Sequence, residues 1–568
     1  MASEELPAKL LKCEDEDEND LAEMVTSEGE SSATNTVIIS IDLGTTFSCV
    51  YYCKDMVPQI VKNSEGERTT PSYVAFTEHE ILVGTPAKDQ AEENPKNTIF
   101  NVKRLIGLAY QDKYVQRALD KLPYTVIRKN NRPCIEVLYK NKLELFYPEE
   151  ISAILLRKLK KDTEIVLGVD VTDVIITVPE HFNTNQRKAT KLAGELAGLN
   201  VLYIINEPTA AALAYGIDIN HTSFQNVLVF DLGGGTFDVT LLTLGERVIE
   251  VKKTMGNRNL GGEDFVNNLV DFCLKSIEKT VKNKDCLKTD KHSIQRLRNE
   301  CEKVKKYLST GSTKTINLAV LFEGKNFKKN ITRKQFVDLN MSHFDETIKT
   351  VANILIEAGL EKNDINEIIM VGGSSRIPYI QNGIKNFFEG KTLNNSIDQE
   401  EAVAMGGALR ATISTNEWTF EDVTSYTVGV ETSGTNMFPI ISRNSTLPIE
   451  YTRNVYTSHD NQQVARIKIF EGEHQLTIQN QQLSEFKVCG LTPKPRGQVI
   501  IAVTFDIKSD GLLIASAKEI TEDGVSGAQG GKSLQITQIG SLTDVQIAKM
   551  KARLDEFYLP IEQDPVDE

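Results

Sequence analysis

At residues 227–239 the chain reads Val227-Leu228-Val229-Phe230-Asp231-Leu232-Gly233-Gly234-Gly235-Thr236-Phe237-Asp238-Val239. This pattern indicates a buried strand that ends in an aspartate, turns through glycines and continues as a second strand. Because glycine lacks a Cβ, the N–H groups of such a turn can point together at an anion. The carboxylates of Asp231 and Asp238 beside an anion require a divalent cation or its water shell between them. Alone, the stretch fits a phosphate site or an ordinary glycine-rich hairpin.

The same design occurs upstream, in Val37-Ile38-Ile39-Ser40-Ile41-Asp42-Leu43-Gly44-Thr45-Thr46. This copy has an apolar strand, an aspartate, a glycine turn and threonine hydroxyls in the same order. A phosphate chain held from both sides needs two such hairpins that face each other, whereas a chance hairpin has no reason to recur. The repeat therefore predicts duplicated α/β lobes with a nucleotide between them.

Length and charge limit the classes of protein that fit. At 568 residues the chain is long enough for several domains, and its hydrophobic fraction of 40% is typical of a soluble globular protein. A formal net charge of −15 disfavours nucleic acid or an anionic membrane as the main partner. There is no apolar run of transmembrane length, no signal-peptide pattern and no C-terminal retention tetrapeptide. These features predict a protein of the cytosol or nucleus with no membrane contact.

Metal-binding and disulfide patterns are missing from the sequence. The eight cysteines show no CxxC spacing and the seven histidines no HExxH motif. A zinc enzyme is therefore disfavoured, and most of the cysteines are expected to be buried reduced thiols.

Composition divides the chain into five segments. We predict an acidic disordered tail at 1–35, an α/β nucleotide-binding domain at 36–415, an interdomain linker at 416–423, an all-β domain at 424–540, and a short helix with an acidic tail at 541–568. Within the α/β segment, Glu207 follows an apolar strand and precedes an alanine-rich helix, a common place for chemistry in α/β folds. A third strand-to-glycine turn, residues 368–378, carries Arg376.

Several motifs occur in an order that resembles one known family. They are Asp42–Thr46, Val102–Gly107, Ile205–Ala212, Asp231–Val239, Leu260–Phe265 and Val371–Pro378, followed by the β-rich segment. Together they resemble the seventy-kilodalton heat-shock chaperones over about residues 37–554, and Phe146–Glu150 looks like the eukaryotic cytosolic branch. The resemblance implies a two-lobed actin-like (ribonuclease H-like) ATPase domain, then an all-β sandwich that binds extended peptide, then a short C-terminal helix where the family has a full lid.

The resemblance also implies the ligands and their residues. The cofactors are ATP and Mg²⁺, with K⁺ as an additional candidate. Residues implied to hold the nucleotide are Gly44, Thr45, Thr46, Phe47, Gly233, Gly234, Gly235, Glu302, Lys305, Lys306, Ser309, Gly372, Gly373, Ser374 and Arg376. Residues implied to act in hydrolysis are Lys103, Glu207, Asp231, Thr236, Asp42 and Asp238, of which Asp42 and Asp231 hold Mg²⁺ mainly through water. Lys306 stands where the family usually stacks an arginine on adenine, and Asn257 replaces an aspartate; both changes are expected to weaken nucleotide binding.

The peptide site and the coupling path depart from the family pattern. Residues implied to bind peptide are Val430, Ser433, Val455, Ser458, Ala465 and Ile467, in which the two serines replace an apolar arch and Ala465 widens the pocket. Residues implied to couple the domains are Pro179, Arg187, Trp418, Phe420 and Asp422. The linker lacks the family's run of leucines, and burial of Glu421 without a partner would be costly.

Two functions of different classes fit these features. The first is an ATP-driven chaperone that binds unfolded or extended polypeptides, with a J-domain co-chaperone and a nucleotide exchange factor as partners. The alternative is a nucleotide-gated regulatory or co-chaperone scaffold with a weak or uncoupled ATPase, suggested by the altered linker, the open arch, the short lid and the altered acidic end. A sugar or glycerol kinase would explain the two lobes but would leave the β domain without a purpose.

Overall fold

The computed structural model describes residues 37–216, 224–245, 247–413, 418–520 and 542–558, all within the unit Val37–Glu568. The predicted acidic tail at 1–35 and the acidic C-terminal residues lie outside the described residues. We call residues 37–216 the first lobe, 224–413 the second lobe and 424–520 the β domain.

The first lobe is built on a mixed sheet with the order β12-β11-β1-β2-β3, in which β4 also pairs with β2. Its strands are β1 (Ile39–Asp42), β2 (Phe47–Lys54), β3 (Val57–Val61), β4 (Thr70–Pro71), β5 (Val74–Phe76), β6 (Ile81–Val83), β7 (Thr98–Ile99), β8 (Thr125–Lys129), β9 (Arg132–Tyr139), β10 (Lys142–Phe146), β11 (Asp173–Val178) and β12 (Asn200–Asn206). Its helices are α1 (Thr85–Asp89), α2 (Lys113–Leu119), α3 (Pro148–Leu167), α4 (Thr184–Leu196) and α5 (Glu207–Gly216).

The second lobe repeats this design around a sheet with the order β18-β13-β14-β15-β19. Its strands are β13 (Gln225–Leu232), β14 (Phe237–Gly245), β15 (Val248–Asn257), β16 (Thr313–Phe322), β17 (Lys325–Thr332) and β18 (Glu367–Val371). Its helices are α6 (Gly262–Ile277), α7 (Lys284–Thr289), α8 (Lys291–Tyr307), α9 (Arg333–Ala358), α10 (Pro378–Phe387) and α11 (Ala402–Thr412). In each lobe the first strand pairs antiparallel with the next strand and parallel with a later one, so the predicted duplication is confirmed.

Two helices, α5 and α11, lie between the two large sheets and cross at close range. A Cβ on Gly406 of α11 would lie 1.6 Å from the carbonyl oxygen of Ala210, and one on Gly407 would lie 2.1 Å from Ser40 Oγ. Only glycine permits this approach. The crossing joins the lobes at the base of the cleft between them.

The β domain is a sandwich of two antiparallel sheets with the orders β21-β20-β23-β24 and β22-β25-β26. Its strands, after the linker strand β19 (Thr419–Glu421), are β20 (Val428–Glu431), β21 (Met437–Ile441), β22 (Ile449–Tyr456), β23 (Val464–Glu471), β24 (Gln481–Cys489), β25 (Ile500–Ile507) and β26 (Leu513–Ile520), and the last described helix is α12 (Asp544–Tyr558). Alternate residues of these strands form its apolar core, as the period-2 pattern predicts.

The β domain and α12 both contact the first lobe. The amide of Leu513 donates to Thr184 Oγ1 (2.9 Å), and Asn185 donates to the carbonyl oxygen of Leu483 (3.0 Å). Both contacts start from the first turn of α4, which Asn183 caps with Gln186 in a capping box. None of the described helices is long and apolar enough to cross a membrane.

Candidate active site

A cavity of about 490 Å³ lies between the two lobes. Its lining includes most of the residues that the sequence assigns to nucleotide: Gly44, Thr45, Thr46, Phe47, Gly233, Gly234, Glu302, Lys305, Lys306, Ser309, Gly372, Gly373, Ser374 and Arg376. It also includes Asp42, Lys103, Glu207, Asp231 and Thr236. The structure thus brings residues from distant parts of the sequence into one cleft.

The two glycine turns face each other at close range. A Cβ on Gly234 would lie 1.8 Å from Thr46 Oγ1, and one on Gly235 would lie 2.5 Å from Thr45 Oγ1. Any side chain at these positions would push the turns apart. The predicted grip on a phosphate chain from both sides therefore has the geometry that it needs.

Four charged side chains converge at the floor of the cleft. Lys103 Nζ donates to Glu207 Oε1 (2.8 Å), and each side chain is only 8% exposed. Burial raises the pKa of Glu207 to about 7, against the opposing effect of Lys103. Burial also raises the pKa of Asp231 well above its ordinary range, and the neighbouring carboxylates, Glu207 first, raise it further. Although burial opposes it, the carboxylates of Glu207 and Asp42 raise the pKa of Lys103.

This donor set fits a hydrated divalent cation. Asp42, Glu207 and Asp231 together carry more negative charge than Lys103 can balance. Burial is the largest cause of the raised pKa of each of these three carboxyl groups. Among the described residues, no group of three or more His, Cys, Asp or Glu side chains is arranged to hold a metal ion directly. Magnesium keeps several waters and binds through few carboxylates, so these residues fit Mg²⁺ held through its water shell.

Away from the phosphate turns, the cleft is lined by cationic side chains, one of which lies on an aromatic ring. Lys306 Nζ lies 4.2 Å from the centroid of the Phe47 ring, and Lys305 pairs with Glu302 (2.8 Å). Arg376 pairs with Asp398 (2.7 Å). Lys306 is thus positioned by Phe47, a contact that no motif in the sequence indicates. The other departure from the family, Asn257, donates to Glu346 (3.0 Å).

Two residues assigned from the sequence do not line the cavity. Gly235 lies behind Thr45, because the opposing turn covers it. Asp238 is buried, and its carboxylate contacts His181 Nδ1 at 2.5 Å instead of facing the cavity. No motif in the sequence points to His181.

Polar contacts between the lobes also could not be predicted from the sequence. Asn101 donates to Glu263 (2.8 Å), which also binds Arg298. Arg104 pairs with Asp264 (2.5 Å). These partners close the cleft beside the phosphate turns.

The residues assigned to peptide lie in the β domain. Val430, Ala465 and Ile467 are buried in its apolar core, and the partly buried Val455 packs against that core. Ser458 is exposed, and its amide donates to Gln462 Oε1 (2.8 Å). The side chain of Ser433 lies outside the described part of the structure.

The linker continues the sheet of the second lobe. Strand β19 pairs in parallel with β15, and Phe420 lies opposite Ile249. Trp418 and Phe420 pack together against the apolar cluster beneath, with ring centroids 6.2 Å apart. Strand alternation turns Glu421 to the opposite face from Phe420, which removes the burial cost expected from the sequence.

The remaining coupling residues lie where the β domain meets the first lobe. Asn206, which directly precedes Glu207 in the chain, donates to Asp422 Oδ2 (2.7 Å). Arg187 donates to the carbonyl oxygens of Phe182 (3.1 Å) and Asp510 (3.4 Å), which joins the two domains. The buried Pro179 lies at the end of β11. All of these residues are therefore in or beside the interface.

Comparison with known proteins gives consistent matches. A family model described as Hsp70 protein matches residues 38–561. A protein of Neurospora crassa named Heat shock 70 kDa protein is 44% identical over 530 residues, which are 91% of this chain and 80% of that protein. Heat shock 70 kDa protein 2 of Paracoccidioides lutzii is 44% identical over 528 residues, with 91% and 80% covered. Heat shock 70 kDa protein of Trichophyton rubrum is 42% identical over 528 residues, again with 91% and 80% covered.

Proposed function

The chain belongs to the Hsp70 family, and from this membership we propose that it is an ATP-dependent chaperone that binds extended apolar peptide under the control of ATP hydrolysis. The names of its relatives support a chaperone role. The nucleotide would occupy the cleft between the lobes. The peptide would bind the β domain at the residues assigned from the sequence, of which Val430, Ala465 and Ile467 are buried in this structure and would have to become exposed. A J-domain partner and a nucleotide exchange factor complete the proposed cycle.

The residues of the cleft suit in-line hydrolysis. The two glycine turns and the hydroxyl of Thr236 hold the phosphates by hydrogen bonds. Mg²⁺, when bound, neutralises charge on the phosphate oxygens. The ammonium of Lys103 would contact the γ-phosphate, and Lys103 keeps Glu207 in place through their 2.8 Å bond.

Hydrolysis requires a group that orients water and can receive its proton. Water forms a bond to the γ-phosphorus while the bond from that phosphorus to the bridging oxygen breaks, which leaves ADP and phosphate. Glu207 has a pKa of about 7 because it is buried, so near neutral pH a large fraction of it is ionised and can accept a proton.

Two contacts of the linker support the proposal that hydrolysis controls peptide binding. Strand β19 joins the same sheet as β13, and β13 carries Asp231 at its end. At the same linker, Asp422 bonds Asn206, the neighbour of Glu207. A change at the phosphates can therefore reach the β domain through a shared sheet and one hydrogen bond.

The test is single-turnover hydrolysis of ATP by the full chain, with and without an extended apolar peptide and a J-domain protein. Lys103→Ala serves as the blank. Hydrolysis above the blank with stimulation by peptide is expected. Tight ATP binding with no stimulation would instead support the nucleotide-gated scaffold, and no hydrolysis above the blank would overturn the ATPase assignment.

A further inference from the structure

The turn that carries Lys103 belongs to the first lobe but is held by the second lobe. On one side of the lysine, Asn101 Nδ2 donates to Glu263 Oε2 (2.8 Å). On the other side, the guanidinium of Arg104 donates to both carboxylate oxygens of Asp264 (3.1 and 2.5 Å). Two neighbouring carboxylates of the second lobe therefore hold the chain on either side of the lysine that we propose contacts the γ-phosphate.

The backbone also fixes where this turn begins. Asn101 has a φ of 58°, in the left-handed region that asparagine tolerates better than most residues. The preceding residue, Phe100, is held as well. The hydroxyl of Tyr124 donates to its carbonyl oxygen (2.6 Å), and the guanidinium of Arg298, which binds Glu263, lies 5.4 Å from the centroid of its ring. The turn therefore enters the cleft in one defined direction.

The two carboxylates are themselves fixed to the phosphate turn of the second lobe. They lie in the first turn of α6, where the amide of Glu263 donates to the carbonyl oxygen of Gly234 (2.9 Å). Arg104 reaches the same phosphate turn directly, because its Nη2 donates to the carbonyl oxygen of Gly235 (3.3 Å). The position of Lys103 is thus set relative to the glycines on the opposite side of the cleft.

These contacts are largely buried and involve ionised groups. The side chains of Arg104 and Asp264 are 10% and 20% exposed. Although burial opposes it, Arg298 and Lys305 lower the pKa of Glu263 to about 2, so this residue accepts hydrogen bonds as a carboxylate. Hydrogen bonds to ionised partners are stronger than those between neutral groups. They can therefore restrain the turn to one position.

We propose that Asn101 and Arg104 are positioning residues that hold Lys103 at the distance from the second-lobe phosphate turn that hydrolysis requires. Because their partners lie on α6, the lysine is in place only while the second lobe holds its turn. A displacement of about 1 Å at a reacting group can cost on the order of 100-fold in rate. This inference rests on the proposed ATPase function, because it concerns the same lysine and the same cleft.

The first experiment measures the ATP dissociation constant and the single-turnover hydrolysis of bound ATP in the full chain. Arg104→Met keeps most of the length of the side chain but loses the bonds to Asp264. We expect hydrolysis to slow by about tenfold or more. The ATP dissociation constant should change by less than about threefold, because both glycine turns still hold the phosphates. Arg104→Lys keeps the charge and should recover part of the rate. The matched control Arg128→Met changes an exposed arginine of the same lobe and should behave as wild type.

A second variant tests the other side of the lysine. In Asn101→Gly the left-handed backbone stays accessible, but the amide that donates to Glu263 is lost. We expect hydrolysis to slow by about threefold or more with little change in ATP affinity. Asn141→Gly is the matched control, since Asn141 has a similar φ of 59° in an exposed hairpin, and it should behave as wild type. A wild-type rate in Asn101→Gly would overturn the role of Asn101.

The position of Lys103 can also be followed without hydrolysis. Its side chain is 8% exposed and bonded to Glu207, so acetylation by acetic anhydride, located by mass spectrometry in the full chain without nucleotide, should be slow in wild type. It should be at least about threefold faster in Arg104→Met, because the lysine is no longer held in place. The exposed Lys551 is the internal reference and should react equally in both proteins. Equal protection of Lys103 in both would overturn the role of Arg104.

The outcomes separate this proposal from the proposed function. Contacts that only held the lobes together would weaken ATP binding in Arg104→Met and leave the hydrolysis of bound ATP unchanged. That result, or a lower unfolding temperature with a wild-type rate, overturns the positioning role and leaves the proposed function intact. If wild type hydrolyses no ATP above Lys103→Ala, the proposed function is overturned, and the acetylation of Lys103 still decides whether Arg104 positions it.

Discussion

At the scale of single residues, the proposed hydrolysis depends on the ion pair between Lys103 and Glu207. Glu207→Gln keeps the size of the side chain but cannot accept a proton. We expect single-turnover hydrolysis to fall by about 100-fold, because loss of a positioned proton acceptor costs that much. ATP affinity should change by less than about fivefold, since in the proposed mechanism Glu207 contacts the attacking water and not the nucleotide.

The control for this prediction is Glu78→Gln, which changes an exposed glutamate in the same lobe. It should leave both quantities at wild type. A Glu207→Gln variant that hydrolyses ATP at the wild-type rate would show that another group receives the proton.

At the scale of elements, the linker strand β19 depends on Phe420. Its ring packs against Trp418, and the guanidinium of Arg410 lies 4.4 Å from its centroid. Phe420→Ala removes both contacts and should weaken docking of the linker by about 1–2 kcal/mol. Trp418 is the single tryptophan of the chain, so its emission should shift to the red as the indole becomes wetter.

Thr419→Ala is the matched control, because Thr419 is the exposed neighbour on the same strand. It should leave the emission unchanged. Identical spectra for Phe420→Ala and wild type would mean that backbone pairing with β15 alone holds the linker.

Arg553 is one of the residues through which the helix α12 docks on the first lobe. Its guanidinium lies 4.4 Å from the centroid of Phe146, donates to the carbonyl oxygen of Leu145 (2.9 Å) and binds the buried carboxylate of Glu150. Burial raises the pKa of Glu150 and Arg553 opposes the shift. Arg553→Ala would leave that carboxylate without its partner and should destabilise docking of α12 by about 2 kcal/mol.

Hydrogen exchange of residues 544–558 measures this effect. Exchange should speed up in Arg553→Ala and remain slow in Lys551→Ala, whose side chain is exposed. Adding Glu150→Gln to Arg553→Ala should recover part of the loss, because the amide carries no buried charge. Unchanged exchange in Arg553→Ala would mean that Phe557, which packs on Phe146, is sufficient.

At the scale of the whole molecule, the sequence predicts best those parts of the candidate site that are formed by contiguous residues. Each phosphate turn consists of a strand, an aspartate and a glycine turn that follow one another in the chain. Because this motif occurs twice, both sides of the cleft could be predicted from the sequence. The pairs that close the cleft could not be predicted. Asn101 and Glu263 are 162 residues apart, and no local pattern joins a buried amide to a distant carboxylate. Likewise, the contacts of His181 with Asp238 and Tyr426 join distant parts of the chain, so they could not be predicted from the sequence.

Docking of the β domain also buries a titratable group. Glu180 is fully buried, and Ser425 of the β domain donates to its backbone oxygen (2.5 Å). Its Oε2 has no hydrogen-bond partner among the residues that the structure describes. Burial raises the pKa of Glu180 well above its ordinary value, the carboxylates of Asp422 and Asp238 raise it further, and Arg187 opposes them. Glu180 is therefore protonated in the docked state over a range of pH in which it would be ionised in water.

This raised pKa makes docking depend on pH with a definite sign. Docking takes up a proton at Glu180, whose pKa is raised in the docked state. The contribution of this protonation to the free energy of docking is fully present below the ordinary pKa of 4.5 and is lost as pH rises toward the raised, docked-state pKa. Above pH 4.5 and until the docked-state pKa is reached, docking followed by Trp418 emission should weaken by up to about tenfold per pH unit. Glu180→Gln is neutral at every pH and should dock more tightly at the upper end, with a flatter profile. If both proteins gave the same slope, proton uptake on docking would belong to a different group.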